Sequence, residues 1–152
     1  MDAAKLDSII DGYNGDETAI LAILQDIQAE FNYLPKEAMK RVAEKLNVPF
    51  SRVSALATFF AAFALNPRGK HIVTVCMGTA CHVRGAPRVL EEIERDLKIK
   101  SGENTPDMAF TIETVNCVGA CALGPLVIVN GNYHGNLTTS EVTGMIDQYR
   151  GQ

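Results

Sequence analysis

No apolar stretch of this chain approaches the ~20 residues needed to span a bilayer. The most apolar window, Val53 to Leu65, is short and interrupted by Ser54 and Thr58. There is no basic tract, and the net charge is −4 with a pI near 5.3, which gives nucleic-acid or anionic-membrane binding no support. The segment MDAAKLDSII has no basic start, apolar run or cleavage site, so export is not expected and the cytoplasm is. Neither G-x-G-x-x-G nor G-x-x-x-x-G-K-[ST] occurs, and no nucleophile–base pair can be read. Hydride chemistry therefore has to sit on another chain. Low-complexity segments and internal repeats are missing too.

What is present is a set of four cysteines, Cys76, Cys81, Cys117 and Cys121, spaced C-x4-C and C-x3-C with no cysteine left over. A thioredoxin-type redox pair would need C-x-x-C. A Rieske centre would need histidine ligands, and His82, directly after Cys81, does not fit C-x-H. A disulfide framework calls for an oxidising compartment. Structural zinc takes four thiolates, but C-x3-C is unusual for it. A 152-residue chain that is 47% hydrophobic can also fold without a metal staple. Two thiolate pairs from distant segments suit a [2Fe–2S] cluster best, with a zinc-stabilised interaction module as the competing reading. Gly78, Thr79 and Ala80 lie inside the first pair and Gly119 and Ala120 inside the second, where small residues let backbone N–H groups approach the sulfurs.

The hydrophobic period changes along the chain. A helix is expected over Ala3–Gly12. Ile20, Ile23, Leu24, Ile27 and Phe31 recur at helical spacing, with Asp16 as an N-cap and Pro35 after the end. Met39, Val42, Ala43 and Leu46 form a second stripe, and a third helix is expected over Ser51–Phe63. Phe59, Phe60 and Phe63 are read as core rather than partner-facing surface. The turn Asn66-Pro67-Arg68-Gly69 sets the expected boundary between a helical bundle, 1–66, and a second domain, 67–152. There, His71–Val75 and Phe110–Val115 read as strands leading into the two cysteine pairs. Ala86–Leu97 reads as a helix and Ser101–Asp107 as a polar loop. Leu126–Val129 and Asn132–His134 form a hairpin about Asn130-Gly131, and Thr138–Tyr149 is a closing helix. The order β-α-β-β-α places both cysteine pairs in loops at strand ends. Arg84, Arg88 and His82 are read as solvated side chains, and His71 and His134 are assigned no chemistry.

The segments VCMGTACHVRGA and ETVNCVGACALGPLVIVNGNYHGNL resemble the thioredoxin-like [2Fe–2S] ferredoxins. They are most similar to the small [2Fe–2S] subunit of the NADH-oxidising module of complex I and of NAD(P)-linked hydrogenases and formate dehydrogenases. ATFFAAFALNPRGKH and FNYLPKEAM extend the likeness upstream, so it covers nearly the whole chain. The resemblance implies an α+β chain in which a helical bundle that docks on a partner precedes a thioredoxin-like domain. It implies a [2Fe–2S] cluster with Cys76 and Cys81 on one iron and Cys117 and Cys121 on the other. It also implies a flavin- and NAD(P)H-binding partner subunit and no catalytic residues of the chain's own. Many members carry alanine before the proline that follows the last cysteine pair. This chain carries Gly124 before Pro125, a departure expected to loosen that loop.

Overall fold

A computed structural model describes residues 3–151; Met1, Asp2 and Gln152 lie outside them. The chain divides into two compact units, one running up to Arg68 and the other from Gly69.

The first unit is all helical. Helix α1 (Ala3–Asp11) is followed by a 3-10 turn (Glu17–Ala19), α2 (Ile20–Phe31), α3 (Lys36–Lys45) and α4 (Phe50–Phe59). The Asp16 carboxylate accepts the Thr18 N–H at 2.8 Å and starts the 3-10 turn that feeds α2. Asn32 ends α2 in the left-handed conformation, with φ of 65°. Pro35 and Pro49 stand at the starts of α3 and α4, where a missing N–H costs no helical bond. Leu6, Ile10, Ile23, Leu24, Ile27, Leu34, Val42 and Val53 close one apolar core.

Helix α4 stops at Phe59, four residues before the expected end. The Thr58 hydroxyl donates back to the Ser54 and Ala55 carbonyls, and Phe60 turns extended. The Gln28 side chain then captures the departing strand, donating to the Ala62 carbonyl at 2.8 Å and accepting the Ala64 N–H at 2.6 Å. Phe63 packs on the core, but Phe59 is 80% exposed and Phe60 is 38% exposed. The core reading therefore fails for Phe59, because the chain leaves the helix at that residue.

The second unit contains a four-stranded mixed sheet in the order β2-β1-β3-β4, built from β1 (His71–Cys76), β2 (Phe110–Val115), β3 (Val127–Val129) and β4 (Asn132–His134). Strands β1 and β2 are parallel and in register from His71↔Phe110 to Cys76↔Val115, whereas β3 is antiparallel to both β1 and β4. Helices α5 (Thr79–Val83) and α6 (Ala86–Leu97) connect β1 to β2. A capping box of Thr138 and Glu141 opens a 3-10 turn that leads into α7 (Val142–Arg150). Val73, Val75, Ile112, Val127 and Val129 share a core with Val89 and Ile93 of α6 and Val142, Met145 and Ile146 of α7. The architecture is α+β, as expected. Among the described residues no helix is long and apolar enough to cross a membrane.

Candidate metal centre

The parallel register of β1 and β2 builds the site. Because Cys76 pairs with Val115, the next residues of both strands leave the sheet side by side. Cys76 ends β1 and is buried, and its N–H donates to the Leu126 carbonyl at 3.0 Å. Met77 still donates to Val115 at 2.8 Å, so the strands are held together up to the point where the cysteine segments begin.

The first pair is not in a plain loop. Gly78 starts the short helix α5, which carries Cys81 inward to 2% exposure. Cys117 lies in the turn after β2, and Cys121 opens a 3-10 turn (Cys121–Leu123). The unpredicted α5 arises because Thr-Ala-Cys-His-Val fits one helical turn after the extended Gly78. The His82 N–H donates to the Gly78 carbonyl at 2.8 Å. All four thiols are free; the first two are buried and the last two exposed.

Cys76 lies within hydrogen-bond reach of both Cys81 and Cys117. Burial alone would raise the Cys76 pKa. Backbone N–H groups of Gly78 and Val118, and the two neighbouring thiols, outweigh burial and lower it. Cys81 is pushed up, first by burial and then by Cys76, against a lowering contribution from the Leu126 N–H. The Gly119 N–H donates to Cys117 Sγ at 3.3 Å. Peptide donors from four residues thus converge on sulfur, as anionic thiolates and cluster sulfides require.

Space around the thiols is set by glycine. A Cβ on Gly78 would lie 2.8 Å from the Asn116 carbonyl oxygen, so only glycine lets the two cysteine segments approach. A Cβ on Gly124 would lie 3.0 Å from Cys81 Sγ. Gly124 therefore lets its loop close onto Cys81, and the expectation that it loosens that loop fails on this contact. A depression of about 610 Å³ opens between Thr79, Ala80, Asn116, Cys117 and Cys121. Although three thiols touch, no group of three or more His, Cys, Asp or Glu side chains among the described residues is disposed to hold a single metal ion. Two cysteine pairs with peptide donors aimed at sulfur fit a two-iron cluster better than one tetrahedral zinc.

Arg84 departs from its expected role as a solvated charge. Its Nη1 donates to the carbonyls of Cys121 at 3.1 Å, Ala122 at 3.3 Å and Gly124 at 3.4 Å. His82 is exposed on α5, as expected. His71 is buried, with Nδ1 2.8 Å from Asn130 Nδ2, and His134 Nε2 lies 2.9 Å from the Tyr149 hydroxyl. The peptide donors of Val118 and Leu126 escaped sequence reading because a backbone N–H has no residue signature. The only available hint for Arg84 was its position three residues after Cys81.

Comparison with known proteins decides the family. The model of the thioredoxin-like [2Fe-2S] ferredoxin family matches residues 6–150. The chain belongs to that family. Its cofactor is a [2Fe–2S] cluster. The chain is 40% identical over 133 residues to the HndA subunit of the NADP-reducing hydrogenase of Solidesulfovibrio fructosivorans, covering 88% of this chain and 78% of that one. It is 36% identical over 138 residues to a subunit of the NADH-quinone oxidoreductase of Rhizobium meliloti (strain 1021), covering 91% and 82%. In fold it is similar to an NAD+-reducing [NiFe]-hydrogenase in the air-oxidized state, with a TM-score of 0.76 at 18% identity. That match covers 88% of this chain and only 23% of the hydrogenase chain.

Proposed function

We propose that this chain is a non-catalytic electron-transfer subunit of an NAD(P)H-linked oxidoreductase complex, and that Cys76, Cys81, Cys117 and Cys121 hold its [2Fe–2S] cluster. The observation that carries the ligand assignment is the convergence of both cysteine pairs at the adjacent ends of β1 and β2, with peptide N–H groups donating to Cys76, Cys81 and Cys117. When bound, the cluster supplies one-electron redox chemistry. The chain's own residues fix four sulfurs, donate hydrogen bonds to three of them and leave Cys117 and Cys121 exposed on the side where a partner can approach.

The partner is a flavin-bearing, NAD(P)H-binding subunit, which supplies the hydride chemistry for which this chain has no motif. The names of the relatives, a subunit of an NADP-reducing hydrogenase and a subunit of an NADH-quinone oxidoreductase, support such a complex. The helical bundle, residues 1–66, serves partner docking, supported by exposed Phe59 and Phe60 at the end of α4, and residues 67–152 carry the cluster. Four cysteines that form no disulfide suit a reducing compartment such as the cytoplasm. Potentiometric titration of the purified protein, followed by electron paramagnetic resonance, tests the role. One electron taken up per chain with iron and sulfide present supports it, and a redox-inert protein containing zinc overturns it.

A further inference from the structure

Arg84 stands directly after α5, the helix that carries Cys81, and its guanidinium ends on the turn that carries Cys121. The two cysteines belong to different pairs, forty residues apart in sequence. One cation thus ties the first cysteine segment to the second through the carbonyls of Cys121, Ala122 and Gly124. Charge-assisted hydrogen bonds of this kind are about twice as strong as neutral ones. All three carbonyls accept from the one Nη1, which the rigid planar guanidinium holds at a reach and direction that a lysine ammonium on its flexible stem does not reproduce. The same side chain lines the depression beside Cys117 and Cys121, so its charge is fixed next to the thiolates.

We infer that Arg84 is a positioning residue that braces the Cys121 turn against α5 and raises the reduction potential of the centre with a fixed positive charge. The inference rests on the proposal that the four cysteines hold the cluster. Four thiolates around a [2Fe–2S] centre carry a formal charge of −2 when oxidised and −3 after one electron is added. A nearby cation stabilises the second state more than the first. For an illustrative separation of about 10 Å and an effective dielectric constant of about 20, one unit of charge is worth roughly a tenfold change in the reduction equilibrium. For a one-electron couple that is about 59 mV.

The test compares the purified holoprotein with Arg84→Gln, Arg84→Lys and, as a control for loss of one positive charge, Arg88→Gln. Each is titrated with dithionite at low salt and challenged with an iron chelator. Arg84→Gln is expected to reduce about tenfold less readily, with Arg84→Lys and Arg88→Gln within about threefold of the parent. Both Arg84 variants are expected to lose iron faster, because the brace is weakened. A parental midpoint in Arg84→Gln, or equal shifts in Arg84→Gln and Arg84→Lys, or an equal shift in Arg88→Gln, would overturn the inference. If Arg84→Gln cannot retain iron, Arg84→Lys decides. A parental midpoint with faster iron loss supports the inference, and parental iron retention overturns it. A parent protein without iron and sulfide would instead overturn the ligand proposal before any variant is compared.

Discussion

Replacing Gly78 with alanine should open the seam that holds the two cysteine pairs together. The new methyl would sit 2.8 Å from the Asn116 carbonyl oxygen and 3.4 Å from Cys117 Cβ, a separation from backbone oxygen that real Cβ atoms essentially never show. Ordinary contact begins at 3.4 Å, so the segments must part by about 0.6 Å. Neither side yields easily. Asn116 follows Val115, whose carbonyl is held by the Met77 N–H at 2.8 Å, and Gly78 is fixed by the start of α5. Overpacking of this kind costs about 1–3 kcal/mol. In a domain of this size each kcal/mol lowers the melting temperature by about 4–8 °C. The displacement falls between Cys76 and Cys117, so cluster occupancy should fall along with stability. Thermal unfolding by circular dichroism and iron and sulfide analysis of the same sample provide the assay. Full iron content with an unchanged melting temperature in Gly78→Ala would refute the reasoning.

The opposite sign is expected at Gly144, exposed within α7, where a Cβ meets nothing within 4 Å. Gly144→Ala should stabilise the protein by about 0.5–1 kcal/mol in urea unfolding, and a destabilised variant would contradict the helix assignment. Cys117→Ser replaces a soft thiolate with a hard oxygen and should weaken or distort the cluster. An unchanged visible spectrum and iron content would count against the ligand assignment. In the helical unit, hydrogen bonds from Arg41 and then Lys45 lower the Asp7 pKa from 3.8 to about 2. A lowered folded-state value means the stabilisation is fully present above pH 3.8 and is lost as pH falls from there through about 2. The stabilities of the parent and Asp7→Asn should therefore converge over that window when followed by unfolding at a series of pH values, and parallel curves would sink the pairing.

Much of this was legible because local signals agreed with one another. The β-branched run before Cys76 and the alternation from Phe110 to Val115 give β1 and β2, and Asn130-Gly131 gives the hairpin between β3 and β4. Cysteine spacing pointed to the cofactor, and the small residues between the cysteines pointed to close backbone approach, which Gly78 bears out against Asn116. What stayed hidden depends on distant partners. Helix α4 ends where Gln28, more than thirty residues earlier, captures the backbone of Ala62 and Ala64. Periodicity cannot register such a contact, so the apolar pattern read on to Phe63. Arg84 looked like an ordinary surface charge because its three acceptors are peptide carbonyls of a turn nearly forty residues away. Gly124 looked permissive in sequence and proves to be closely packed, because the group it must clear is the Cys81 sulfur.

The most direct test of the central claim is electron paramagnetic resonance of the dithionite-reduced protein, with iron and acid-labile sulfide quantified on the same sample. The account predicts a rhombic or axial S = 1/2 signal with about two irons and two sulfides per chain, as four thiolates around a [2Fe–2S] centre require. A silent spectrum from a protein containing one zinc per chain would contradict it.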